Sequence, residues 1–230
     1  MVTPAFIDPH SHIGMERSGE PSGEGEANDH LDSIMALTDA LDSVQMDDKA
    51  FMDAVESGVL YSCVVPGSGN IIGGQSAVIR NFAANSTEAL IGRAGLKAAF
   101  GYNSRSTTSW KGQRPSTRMG AIAILRGRLT EVRQKIEKYR QAKGRKKEDI
   151  TFSAEDRVLQ ELLSRKIRLR AHVHKIDDIA ALLRLVDDFK IKITIEHAMD
   201  VHQADIFHEL KRRKIPVVYG PIDSFSYKVE

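Results

Sequence analysis

The sequence predicts an α/β fold in which short buried strands alternate with longer helices. Short apolar or β-branched runs recur along the chain, and stretches with helical spacing of apolar residues lie between several of them. This alternation is typical of a parallel sheet covered by helices. A closed barrel and an open doubly wound sheet both fit the pattern, because periodicity alone does not distinguish them.

The segments behind this prediction are defined by composition and spacing. The predicted strands are Ala5–Asp8, Val59–Val65, Ser76–Arg80, Gly95–Gly101, Ile167–His172, Ile191–Glu196 and Pro216–Tyr219. The predicted helices are Asp47–Ser57, Ala121–Lys138, Ala154–Leu163 and Asp177–Phe189. Two polar segments, Glu16–Asn28 and Asn103–Pro115, predict long loops, and such loops carry the functional site in parallel barrels.

Composition limits the class of protein. A chain of 230 residues with 41% hydrophobic residues can form one domain, residues 1–230, with a sizeable core. The net charge of +2 comes from nearly balanced signs, which argues against a nucleic-acid partner. No apolar stretch is long enough for a membrane span, and the N-terminus lacks a signal-peptide pattern, so we expect a cytoplasmic protein. The single cysteine, Cys63, excludes a CxxC metal site and an intrachain disulfide.

The first motif that carries chemistry is a pair of histidines at the end of the first predicted strand. His10 and His12 are two residues apart, and side chains with that spacing point to the same face of a strand. Imidazole is a preferred ligand of zinc, iron, nickel and copper. The pair therefore indicates a metal site, although such pairs also occur by chance.

Two further strands end in histidine. His172 and His174 follow one apolar strand, and His197 follows the next. Because the carboxyl ends of parallel strands converge on one rim, these side chains can meet the pair on the first strand. We therefore predict a metal site built from His10, His12, His172 and His197. The other histidines lie in polar or helical segments and are expected to be solvated.

The same segments resemble a known family. The stretch FIDPHSHIG is similar to the first barrel strand of the amidohydrolase superfamily, and AHVHKIDDI and ITIEHAMD are similar to its fifth and sixth strands. A narrower resemblance, to the imidazolonepropionase-like and prolidase-like branch, rests on VVPGSGNIIGGQSAVI, GLKAAFGYN, RPSTRMG and VVYGPIDSFSYKVE. These motifs follow the family's order over nearly the whole chain.

The resemblance implies a (β/α)8 barrel of the TIM type that hydrolyses C–N bonds. A metal-activated water would attack a small cyclic amide, lactam or dipeptide-like substrate. His10 and His12 would bind the more buried ion, and His172 and His197 a second ion or the remainder of a mononuclear site. Zinc is the expected metal, as one or two ions, with iron, manganese or nickel as alternatives.

The chain departs from the family's pattern at the bridging ligand. Where we expect a bridging carboxylate after the fourth family strand, this chain has Tyr102, in the sequence GYN. Lys97, within the preceding strand, could point into the barrel and bridge two ions as a carbamate, or form a structural ion pair. The sequence does not single out a catalytic acid or base, and the candidates are His174 and Tyr102.

The resemblance also implies that the barrel is incomplete. The family's proton-transferring aspartate ends an eighth strand, whereas this chain stops after the seventh, and the family's N-terminal β-sandwich is also missing. Asp223 is the least implausible replacement. Two alternatives follow, a catalytically silent metal-binding fragment and a subunit completed by a second polypeptide. Open sheet edges also favour a homo-oligomer or a strand-completing partner.

Two weaker hypotheses concern ligands. The glycine-rich VVPGSGNIIGGQ could approach a phosphate, but its spacing does not fit a dinucleotide or P-loop motif, and a loop on the substrate side of a hydrolase explains it better. Arg105, Arg114 and Arg118 hint at a polar or anionic substrate.

Overall fold

The computed structural model describes residues 2–17, 21, 25–105 and 114–221. Its strands form one sheet in chain order: β1 (Phe6–Ser11), β2 (Val59–Val64), β3 (Ile72–Arg80), β4 (Leu90–Ala99), β5 (Leu169–Val173), β6 (Ile193–His197) and β7 (Val217–Tyr219). The helices are α1 (Ala40–Ser43), α2 (Lys49–Glu56), α3 (Ser86–Ala89), α4 (Arg118–Gln141), α5 (Arg145–Glu148), α6 (Ala154–Leu163), α7 (Ile176–Phe189) and α8 (Ala204–Arg212).

The prediction of a wholly parallel sheet is wrong at β3. This strand runs antiparallel to both β2 and β4, whereas the β1–β2 pair and all pairs from β4 to β7 are parallel. A parallel connection needs a crossover of a dozen or more residues, usually a helix. The segment 65–71 between β2 and β3 is shorter than that, so the chain can only turn back.

The sheet curls into a nearly closed barrel, which decides between the two architectures left open by periodicity. Side chains from strands far apart in the strand order meet inside it, since the Nδ1 atom of His10 on β1 contacts the Glu196 carboxylate on β6. Arg170 of β5 also reaches β1 and donates to the Pro9 carbonyl at 2.5 Å. β1 and β7 are the two ends of the strand order.

The main hydrophobic core lies between the barrel and its outer helices. Residues Ala121, Leu125, Leu129 and Val132 form the buried stripe of α4, at the spacing of one helix face. They pack in one cluster with buried side chains of β4, β5, β6, α6 and α7. Apolar contacts thus fix the helices outside, and the barrel interior is left for the polar side chains described below.

Helix prediction succeeded where an apolar stripe was present. The predicted bounds of α6 agree with the structure, and α7 begins one residue before its predicted start. The segment of α8 was not predicted because it is rich in charged residues, and Leu210 is its one buried side chain. None of the helices in the described ranges is long and apolar enough to cross a membrane.

Asp156 ties α6 to α4. Its carboxylate accepts from the Ser153 backbone N–H at 3.0 Å as part of a capping box, and it pairs with Arg128 at 2.8 Å and Lys135 at 2.5 Å. Burial alone would raise the pKa of Asp156, but the hydrogen bonds from Lys135, Arg128 and Ser153 hold it well below the usual 3.8. The ionised carboxylate therefore stabilises the folded state.

Asp156→Asn is expected to lower the free energy of unfolding by about 1–3 kcal/mol at neutral pH. Because the folded-state pKa is depressed, the stabilisation is complete above the unfolded-state pKa and is lost as the pH falls through the folded-state value. The difference in free energy of unfolding between wild type and variant, measured by urea unfolding, should therefore decrease below roughly pH 4. Asp53→Asn, at an exposed pair with Lys49, is the control. A difference in free energy of unfolding that does not change with pH would contradict this account.

Candidate functional site

A cavity of about 590 Å³ opens at the carboxyl ends of β1, β5, β6 and β7. It is lined by Asp8, Pro9, His10, Ser11, His12, Glu16, Asn28, Gly67, Ser68, Asn103, His172, His197, Val218, Tyr219, Gly220 and Pro221. This is the rim where parallel barrels carry their sites. Three of these strands, β1, β5 and β6, end in the histidines predicted to bind a metal.

The structure brings all of these histidines together. The ring centroids of His10 and His12 are 5.4 Å apart, and the His197 ring lies 4.6 Å from His10 and 4.5 Å from His172. The His174 ring is 4.7 Å from His172 and stacks on His197 at 5.2 Å. His172 and His174 thus share one face of β5, as their spacing predicts.

The end of β6 has an unusual backbone. His197 has a φ of 77° and Ala198 a φ of 51°, values that side-chain-bearing residues rarely adopt. Consecutive residues of a regular strand point to opposite faces, but here Glu196 and His197 both contact His10 in the interior. Strained backbone of this kind clusters at functional sites.

Hydrogen bonds fix which nitrogen of these rings faces the cavity. The Nδ1 atom of His12 donates to the Val65 carbonyl at 2.8 Å, and that of His197 donates to the Gly220 carbonyl at 2.7 Å. A carbonyl oxygen can only accept, so Nδ1 carries the proton and Nε2 keeps its lone pair. His10 is held in the same way by the Glu196 carboxylate. Such partners are typical of metal-ligating histidines.

His172 has a different pair of partners. Its Nδ1 atom is 2.9 Å from the Ser68 hydroxyl oxygen, and its Nε2 atom is 3.2 Å from the Asn103 amide nitrogen. An amide N–H can only donate, so His172 Nε2 accepts and Nδ1 carries the proton to Ser68. All four predicted ligands are therefore in the tautomer that leaves Nε2 as the electron-pair donor.

Burial keeps the imidazoles neutral. Burial, together with the positive charge of Lys97, lowers the pKa of His12 to about 3. Burial also lowers the pKa of His197 to about 4, although its hydrogen bond to Gly220 opposes this, and lowers the pKa of His10 further. A neutral imidazole is the form that binds a metal ion.

Charged side chains fill the barrel below the histidines. Lys97, predicted to point inward, is fully buried, and its Nζ atom lies 3.5 Å from His10 Nε2. Glu196 is also fully buried, and its Oε1 atom is 2.9 Å from Arg170 Nε. Burial raises the pKa of Glu196, and the charges of Arg170 and Lys97 limit the rise.

Glu196 is the functional candidate that sequence reasoning missed. A glutamate inside an otherwise apolar strand is costly to bury unless it is paired. In the stretch ITIEH, Glu196 directly precedes the histidine at the strand end. Its partner Arg170 lies two residues before His172.

Tyr102 does not occupy the position expected for a bridging ligand. Its side chain is exposed, and the Arg105 guanidinium lies over its ring at 5.2 Å. The chain turns at Gly101, whose φ is 89°, so that Asn103 lines the cavity instead. Of the predicted bridging candidates, Lys97 is therefore the one whose side chain lies beside the histidines.

The arginines that hinted at an anionic substrate are engaged elsewhere. Arg114 donates to the Gly69 carbonyl, and Arg118 pairs with Asp178 at 3.3 Å. Arg105 lies over Tyr102, as described above. Asp223, the weak candidate for a replacement base, and most of the predicted loop 103–115 lie outside the described residues.

The glycine-rich segment serves packing within the chain. A Cβ atom on Gly67 would lie 2.2 Å from Asn28, and one on Gly74 would lie 2.2 Å from Thr38. From Ile72 onward the segment is strand β3 rather than loop. These close approaches to the protein's own side chains explain why glycine is required at these positions, so a phosphate ligand is not needed to account for them.

The four imidazole nitrogens are suitable ligands for a divalent cation, but the side chains are not arranged in the geometry of a metal site. Within the described ranges, no group of three or more His, Cys, Asp or Glu side chains is placed so that it could hold an ion as it stands. The chemistry nevertheless fits, because neutral imidazoles with Nδ1 held by acceptors present Nε2 to one cavity. Binding would require small side-chain movements, including release of His172 Nε2 from Asn103.

Known proteins support the resemblance seen in the motifs. The crystal structure of an amidohydrolase from Thermotoga maritima MSB8 superposes with a TM-score of 0.88 and 34% sequence identity, covering 99% of this chain and 59% of that chain. Amidohydrolase tasK of Hapsidospora irregularis is 24% identical over 253 residues, covering 100% of this chain and 26% of that protein. No family model matches the chain.

Both relatives are longer than this chain, which spans about a quarter of tasK and 59% of the Thermotoga structure. Their similarity agrees with the predicted resemblance to the amidohydrolase superfamily, while amide hydrolysis by this chain and the imidazolonepropionase-like branch stay predictions. The chain is an α/β barrel that resembles these amidohydrolases in sequence and in fold.

Proposed function

We propose that this chain carries the metal centre of a metal-dependent amidohydrolase that cleaves C–N bonds in small amides. The observation that carries the proposal is the convergence of His10, His12, His172 and His197 on one cavity with each Nε2 lone pair retained. Cyclic amides, lactams and dipeptide-like compounds are the proposed substrates, and zinc is the proposed metal. When bound, a divalent cation would supply a Lewis acid and lower the pKa of water.

The protein's own groups would orient the ligands and keep them neutral. Val65 and Gly220 carbonyls hold His12 and His197, while the Arg170–Glu196 pair holds His10. Losing such outer partners typically reduces metal affinity 10–100-fold. The side chains therefore form a site whose rings are oriented in advance.

Lys97 and His174 have proposed roles beside these ligands. Lys97 Nζ lies 3.5 Å from His10 Nε2, so a carbamate formed on it would put two oxygens among the histidines. His174 stacks on His197 and adjoins His172, which makes it the proposed proton carrier. General acid–base groups of this kind typically contribute 10²–10⁴-fold to a rate.

Metal analysis combined with an amide-hydrolysis screen tests the proposal. The purified chain should bind zinc, hydrolyse at least one amide, lactam or dipeptide, lose activity on chelation and recover it on adding zinc. Zinc binding without turnover of any amide would favour the alternative of a catalytically silent barrel segment. Turnover that survives complete metal removal would overturn the proposal.

We also propose that the sheet ends make contacts with another polypeptide chain. Phe6 and Ile7 on β1 are 57% and 64% exposed, and Tyr219 on β7 is 53% exposed. Edge strands with exposed apolar side chains invite pairing with a further strand. We expect a homo-oligomer, or co-purification of a partner that adds a strand, in analytical ultracentrifugation. A single stable, compact monomer would contradict this.

A further inference from the structure

We infer that Asn103 is a substrate-contacting residue, whose amide N–H donates to the scissile carbonyl oxygen after it is released from His172. The inference rests on the proposed amidohydrolase function and assigns that reaction a further catalytic residue. It starts from one contact, the 3.2 Å approach of the Asn103 amide nitrogen to His172 Nε2.

The contact aims a hydrogen-bond donor at one of the clustered histidines. The His172 ring lies 4.7 Å from the His174 ring and 4.5 Å from the His197 ring, so its Nε2 atom belongs to the group. The lone pair on that atom cannot accept from Asn103 and bind a cation at the same time. A metal-loaded site therefore requires the amide to turn away, which leaves its N–H groups beside the reaction centre.

The backbone around Asn103 is anchored, so the side chain can turn without the loop moving. Phe100 donates its backbone N–H to the His172 carbonyl at 3.0 Å, and Ser104 is fully buried. The next residue, Arg105, closes the turn with a backbone hydrogen bond to the Tyr102 carbonyl at 3.1 Å. Asn103 itself is half-buried and faces the cavity.

Two other polar side chains that line the cavity already form hydrogen bonds within the protein. The Ser68 hydroxyl is engaged with His172 Nδ1, and the Asn28 side-chain oxygen accepts from the Gly69 N–H at 2.7 Å. The Nε2 atoms of the four predicted metal ligands are acceptors. The Asn103 amide is thus a neutral hydrogen-bond donor beside the histidines, and metal binding would free it from His172.

The chemistry of amide hydrolysis gives this donor a role. A water adds to the amide carbon, the C–N bond breaks, and the leaving nitrogen takes a proton that the water gives up. The carbonyl oxygen carries negative charge during the addition, and a donor aimed at it stabilises the transition state more than the substrate. Removing one such donor typically lowers kcat 10²–10³-fold.

Variants at this position separate the inference from a merely structural role. Asn103→Ala and Asn103→Asp, the latter nearly isosteric but without the N–H, should lower kcat about 10²–10³-fold on an amide that the wild type hydrolyses, with KM changed less than about threefold. Co²⁺ should bind Asn103→Ala about threefold to tenfold more tightly than wild type, because no hydrogen bond to His172 has to be broken. Gln134→Ala, which removes an exposed amide on α4 outside the cavity, is the control and should match wild type in both measurements.

Each outcome of the experiment is decisive. If Asn103→Ala keeps wild-type kcat, or loses Co²⁺ binding, the inference is wrong while the proposed function stands. If the wild type binds Co²⁺ but hydrolyses none of the amides, an unchanged Co²⁺ affinity in Asn103→Ala overturns the inference and tighter binding supports the release step. If the wild type binds no metal, the proposed function fails and the inference with it.

Discussion

His12→Ala is expected to abolish stable zinc binding and to lower kcat/KM at least ~10³-fold, which corresponds to about 4 kcal/mol of transition-state stabilisation. The ring of His12 is oriented by its hydrogen bond to Val65, and burial keeps it neutral with a pKa of about 3. Alanine removes the metal-binding Nε2 atom and leaves the fold's apolar core unchanged. Metal content after dialysis and steady-state kinetics on the same sample measure the two effects.

Two further variants sharpen this experiment. His208→Ala, on the exposed face of α8, should retain metal and activity, since it lies outside the cavity. His174→Gln should retain most of the metal and lose kcat, about 10²-fold or more, if His174 carries a proton rather than binding the ion. Full zinc occupancy and full activity in His12→Ala would remove that residue from the proposed site.

The strand-end histidines were predictable from sequence because local pattern and topology suffice to place them. Spacing puts His10 and His12, or His172 and His174, on one strand face, and the parallel β5–β6 pair brings His197 alongside. Lys97 was identified as inward-pointing for the same reason, from its alternation with apolar neighbours. Placing each side chain on its strand face needed no knowledge of how distant strands approach one another, whereas the meeting of β1 with β5 and β6 rested on the convergence of parallel strand ends.

Other features depend on contacts that the sequence does not encode locally. The antiparallel direction of β3 is an exception, because residues 66–75 between the predicted strands were already too few for a parallel crossover. Glu196 was missed because its partners, His10 and Arg170, come from strands β1 and β5. Tyr102 was placed by sequence correspondence, but the positive φ of Gly101 turns the chain so that Asn103 faces the cavity.

Arg170→Met is expected to lower the free energy of unfolding by about 3–5 kcal/mol, the usual cost of breaking a buried ion pair from one side. Glu196 is fully buried, and the Arg170 side chain is only 12% exposed. The guanidinium contacts both carboxylate oxygens, at 2.9 and 3.2 Å, and also the Pro9 carbonyl, so it links β5, β6 and β1. Methionine fills similar space but leaves the carboxylate without this partner.

The double variant Arg170→Met/Glu196→Gln tests that reasoning directly. Glutamine still offers an oxygen to the Nδ1–H of His10, and the unpaired buried charge is gone, so we expect most of the lost stability to return. Arg126→Met is the matched control, because it breaks an arginine–aspartate pair whose side chains are 41% and 47% exposed. Such surface pairs contribute about 0–1 kcal/mol. If urea unfolding gives Arg170→Met and Arg126→Met the same free energy of unfolding, the interior pair does not stabilise the packing of β1 against β5 and β6.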